Sequence, residues 1–116
     1  MDLSKYHYLY NALAYFESQE KFPDGLYEAI SLNNREGLEN ICWMLQLLSE
    51  QGELARRALG YDKEETFKAD EWISSMHPRD VIAARGIIVM AVESGLATNE
   101  NAETDLTLVE LKKKNT

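Results

Sequence analysis

Three observations predict an all-α fold for this chain of 116 residues, a compact bundle of about five helices followed by a flexible C-terminal tail. Apolar residues recur at helical spacing in several blocks, most densely in "ENICWMLQLL" and "RDVIAARGIIVMAV". Residues that cap helices (Ser4, Asp24, Asn33 or Asn34, Asp62) stand immediately before those blocks. The β-branched run Ile87-Ile88-Val89 reads equally as a strand, but it has no strand partner elsewhere in the chain. The length is that of one domain, large enough to fold without disulfides or metals. We place the helical domain at residues 1–96 and a flexible acidic tail, ending in Lys112-Lys113-Lys114, at 97–116.

The first helix is expected from Tyr6, Leu9, Tyr10, Leu13 and Phe16 at 3–4 spacing, with Ser4 as N-cap and Pro23 as terminator. Of its tyrosines, two should pack inward, while Tyr8 and Tyr15 face out and are candidate partner contacts. Asp24 is expected to cap a short helix carrying Leu26, Ala29 and Ile30. Asn33 with Glu36 makes a capping box, and Asn34 competes for the same role. The helix that follows is apolar nearly all round: Leu38, Ile41, Cys42, Leu45 and Leu48 mark one face, and Trp43, Met44 and Leu47 widen it. Such a helix belongs at the centre of a bundle. Core packing is the favoured role of Trp43, Met44 and Leu47, and contact with a partner or second copy is the other.

Gly52 is expected to bend or break this helix, because glycine costs about 1 kcal/mol in a helix interior. Gly60 is expected to end it in a left-handed conformation. Asp62 and Glu65 then predict a helix burying Phe67, Trp72, Ile73 and Met76. Pro78 suits the first turn of a last helix with Val81, Ile82, Ile88, Val89 and Val92 facing inward and Gly95 closing it. From Ala97 a polar linker leads to Leu106, Leu108, Val109 and Leu111, a small apolar set that would order on a partner.

Charge and composition exclude several chemistries. Twenty acidic residues against twelve basic ones give a net charge of −8, the wrong field for nucleic acid. A helix-turn-helix regulator would need basic side chains on its recognition helix, and "VIAARGIIVMAVESG" offers only Arg85. No apolar run reaches the roughly 20 residues needed to cross a bilayer. His7 and His77 have no partners at zinc-ligand spacing, and Glu-x-x-His pairs, phosphate loops and nucleophile elbows are lacking. No catalytic residue, metal or cofactor is therefore expected. The lone Cys42, between Ile41 and Trp43, reads as a buried structural thiol in a reducing cytoplasm.

The blocks "NALAYFESQEKFPDGLYEAISLNNREGLENICWMLQLLSEQGELARRALGY" and "MHPRDVIAARGIIVMAVESGL" resemble the small tail assembly chaperones of long-tailed bacteriophages and prophages. The likeness lies in the order of elements and covers most of the chain. It implies a helical, non-enzymatic protein of the host cytoplasm that binds the tape-measure protein, keeps it soluble and helps recruit tail-tube protein. It also implies a longer minor form made by frameshifting, for which an A-rich run encoding the lysine triplet would be the place. An acidic helical adaptor or regulator of another phage or host protein is the alternative. A second copy of the chain is a further candidate partner.

Overall fold

A computed structural model describes the backbone of residues 1–104 and the side chains of residues 1–97. These residues hold five α-helices and no strand: α1 (Ala12–Lys21), α2 (Leu26–Ser31), α3 (Arg35–Ala58), α4 (Ala69–Trp72) and α5 (Pro78–Thr104). Single 3₁₀ turns lie at Leu3–Lys5 and Ile73–Ser75. The all-α bundle is as expected. The segment from Leu106 to Leu111, with the lysine triplet, falls outside the described residues.

Helix α3 is the axis of the bundle and touches each of the other four helices. Ile41, Cys42, Met44, Leu45 and Leu48 have no exposed surface, which is the outcome expected of an all-round apolar helix. Asn34 wins the competition for the N-cap: its side chain accepts from the Gly37 amide at 2.9 Å. At the other end Gly60 is left-handed (φ +96°) as expected. The amides of Gly60 and Tyr61 donate to the carbonyls of Arg57 and Arg56, which closes a Schellman motif.

Gly52 does not break α3, which is continuous through it. Its role is to make room. A Cβ at Gly52 would lie 1.9 Å from the carbonyl oxygen of His7, and one at Gly95 would lie 2.4 Å from that of Tyr10. The N-terminal segment thus crosses both long helices at glycines, held by the Leu9 amide donating to the Leu48 carbonyl at 3.0 Å. This arrangement overturns two expectations. Residues 6–11 are not helical: α1 starts only at Ala12, where the Asn11 side chain caps it by accepting from Ala14 N at 3.0 Å. Gly95 does not end α5, because it is a crossing point inside a helix that continues to Thr104, through the start of the expected linker.

The segment after α3 departs from expectation for a related reason. No helix starts at Asp62; residues 61–68 are irregular, and α4 is a single turn. Their backbone is satisfied by α3 side chains instead of by helical bonds. Glu53 Oε2 accepts from Glu64 N (2.8 Å), Ser49 Oγ from Phe67 N (2.9 Å) and Gln46 Oε1 from Ala69 N (2.8 Å). Positions 46, 49 and 53 share one face of α3, so they form a polar ladder that holds an extended strap antiparallel to the helix. Phe67 hangs from this strap with its ring wholly buried and edge-on to Tyr6, centroids 5.9 Å apart.

Smaller corrections follow from the same packing. Asp24 does not cap α2; Gly25 does, at φ +127° and without a side-chain bond. The far end of α2 is held by Arg85, whose guanidinium donates to the carbonyls of Ile30 (2.7 Å) and Leu32 (3.1 Å). Asn40 Nδ2 ties the helix to α3 through the Ala29 carbonyl. On α5, Ile88 and Val92 are buried as expected, whereas Ile82 is 69% exposed.

Two outcomes are expected. Gly52→Ala should destabilise the fold by about 3 kcal/mol, since its methyl meets backbone and not a flexible side chain; urea unfolding measures this. Glu53 has its pKa lowered, first by the Glu64 amide and then by Arg57 and Arg56. A depressed folded value means its stabilisation is complete above the ordinary 4.5 and is lost as pH falls through the folded value. Glu53→Gln should therefore lower Tm near neutrality and show a shallower fall of Tm between about pH 6 and about pH 3.

Candidate interaction surface

The sequence-predicted contact residues divide sharply. Met44 (0% exposed) and Leu47 (6%) are sealed in the core, where a partner has no access. Trp43 is half-buried, edge-on to Phe22 at 5.5 Å, with Lys21 Nζ 5.5 Å above its ring. Tyr8 does not project outward. Its ring is half-buried and its hydroxyl donates to the Leu3 carbonyl at 2.8 Å, and burial raises its pKa. Tyr15 is at the surface as expected, edge-on to Tyr10 and Phe16. Leu106, Leu108, Val109 and Leu111 lie outside the described residues.

Tyr15 does not stand alone. It lines a cleft of about 370 Å³ with Tyr10, Asn11, Ala12, Phe16 and Leu96. A second hollow of about 280 Å³ adjoins it along the N-terminal segment, sharing Tyr10, Asn11 and Ala12 and reaching Ala91 and Gly95 on α5. Together they make a groove between α1 and the C-terminal half of α5. Phe16 is 62% exposed, Leu13 51% and Leu96 47%. An expected core face has become a surface.

The reason is the late start of α1. Counted from Asn11, the inward positions of the helix are Ala14 and Ser18, both buried, four residues apart. Small residues there let α1 sit close to its neighbours, while Leu13 and Phe16 rotate outward. The clue was Asn11, a good cap followed by Ala12-Leu13-Ala14, which the longer tyrosine periodicity obscured.

The residues lining this groove include no histidine, cysteine, carboxylate or basic side chain. His7 pairs with exposed Glu64 at 3.2 Å on a different part of the surface. The His77 backbone opens α5: its amide donates to Asp80 Oδ2 at 2.8 Å, which lowers the Asp80 pKa. Among the described residues no cluster of metal-ligating side chains occurs, and no helix is long and apolar enough to cross a membrane. Arg85, the one basic side chain of the supposed recognition helix, is engaged with α2 carbonyls.

Comparison with protein-family models, curated proteins and solved structures yields no match.

Cys42 is buried beside Met76, sulfur to sulfur 3.4 Å, and burial pushes its thiol up to about 11. A thiol reagent at neutral pH should therefore leave the native chain unlabelled and react fully only in denaturant. Rapid labelling of folded protein would show instead that α3 opens readily around Cys42.

Proposed function

We propose that the protein is a non-enzymatic tail assembly chaperone of a long-tailed phage or prophage. On this reading it holds the tape-measure protein soluble in the cytoplasm of the host and helps to recruit tail-tube subunits. The groove between α1 and α5 is the observation that carries the reading. It presents Tyr15, Phe16 and Leu96 to solvent at the edge of a protein of net charge −8. A tape-measure protein is a long helix whose apolar face aggregates if left bare. An aromatic-lined groove receives such a face by helix-in-groove packing, and the surrounding negative charge keeps the complex in solution. The resemblance in order of elements to these chaperones points the same way.

The engagement of Arg85 with the carbonyls of Ile30 and Leu32 favours a protein client over DNA, because it leaves Arg79, in the first turn, as the one remaining basic side chain among the described residues of α5. An acidic adaptor for another helical protein would use the same surface, so the identity of the client is the point to test.

Co-expression with the tape-measure protein encoded beside it, followed by size-exclusion chromatography, should recover a soluble client that co-elutes. Phe16→Ala should weaken that complex at least tenfold, about 1.4 kcal/mol, with an unchanged far-UV spectrum because the ring is mostly exposed. A client equally insoluble with and without the protein would overturn the proposal.

A further inference from the structure

Three of the glycines within the long helices have a visible reason to be glycine. Gly37, Gly52 and Gly95 each admit a backbone carbonyl oxygen (of Leu32, His7 and Tyr10) at a distance no Cβ would tolerate. Gly86, in the middle of α5, is different. A Cβ there would meet nothing within 4 Å. A helical glycine costs about 1 kcal/mol relative to alanine, and within one molecule Gly86 returns nothing for that cost.

The surface around Gly86 is equally unusual for so acidic a chain. At about 100° per residue, Arg79, Ile82, Ala83, Gly86, Met90 and Glu93 lie on one face of α5. All six are exposed, Ile82 at 69% and Met90 at 72%. Between Arg79 and Glu93 this face carries no charge, because Arg85 turns away to the carbonyls of α2. The pattern is also symmetric about Gly86: a bulky apolar residue stands four positions to either side, and opposite charges stand seven positions to either side.

We propose that this face of α5 binds a second copy of the chain, antiparallel, about a two-fold axis at Gly86. That axis sets Ile82 of each copy against Met90 of the other and Arg79 of each against Glu93 of the other. Both contacts occur twice, as an isologous interface requires. The facing glycines let the helix axes approach to about 8 Å, the short end of helix packing distances. The match in charge identifies the occupant: a partner of unrelated sequence has no reason to offer glutamate and arginine about 21 Å apart in reverse order around an apolar centre. Six residues of one helix face are far fewer than the roughly 20–30 a side of a standard interface, so the dimer should dissociate in the micromolar range. This inference is independent of the client groove, which lies between α1 and the far end of α5.

Sedimentation equilibrium of the full chain from about 5 μM to about 500 μM tests it, since that span brackets micromolar dissociation. A reversible monomer–dimer equilibrium is expected. Ile82→Glu should leave only monomer. Arg79→Glu and Glu93→Arg should each raise the dissociation constant about tenfold or more, and the double charge swap should return it to within about threefold of the parent. All three substituted side chains are exposed, so thermal melts by circular dichroism should show each variant folded. A chain monomeric throughout the range overturns the proposal. So does a dimer indifferent to Ile82→Glu, or a double swap no better than its single variants. A monomer whose Met90 methyl signal shifts only when the tape-measure protein is added would assign this face to the client instead, which equally overturns it.

Discussion

The fold depends on one helix satisfying backbone that is not its own. An extended segment laid against a helix brings amide and carbonyl groups out of water, and each group left unpaired there costs about 1–3 kcal/mol. Helix α3 meets that demand on two sides. Toward the N-terminal segment it offers the gap at Gly52 and the Leu48 carbonyl. Toward the strap before α4 it offers Glu53, Ser49 and Gln46 as successive acceptors. These two attachments lead directly into α1 and α4, while α2 is tied separately by Asn40 and Arg85.

The consequences reach the surface. Because residues 6–11 lie extended over Gly52 and Gly95, α1 cannot begin before Ala12, and its register turns Leu13 and Phe16 outward. Because the same segment crosses α5 at Gly95, it walls one side of the groove that Leu96 helps to line. The proposed client surface is therefore a by-product of how backbone hydrogen bonds are met in the interior. Arg85 plays a comparable part on the opposite side. By ending α2 it leaves the outer face of α5 free of charge between Arg79 and Glu93.

Polar residues inside α3 carry more of the architecture than their composition indicates. In the amino-acid string, Gln46, Ser49 and Glu53 look like the solvent side of a helix that is losing its apolar character. In the bundle Ser49 and Glu53 are almost wholly buried, and every acceptor is matched by an amide. A buried carboxylate is tolerated here because Glu53 also receives Arg57 at 3.2 Å. The apolar pattern and the polar ladder thus share one helix without conflict, each facing a different neighbour.

The sequence alone determined the helical class, the central position of α3, the left-handed stop at Gly60, the start of α5 at Pro78 and the burial of Cys42. All of these rest on local propensity or on apolar periodicity, which a linear string records. Tertiary structure alone decided that Tyr6 to Asn11 and the stretch from Tyr61 to Lys68 are extended, that Gly52 and Gly95 are crossing points, and that Phe16 faces solvent while Met44 does not. In each case the deciding partner lies far away in the chain: His7 beside Gly52, Ser49 beside Phe67, Tyr10 beside Gly95. A glycine that ends a helix and one that admits a crossing carbonyl are the same letter, and only the presence of the carbonyl tells them apart.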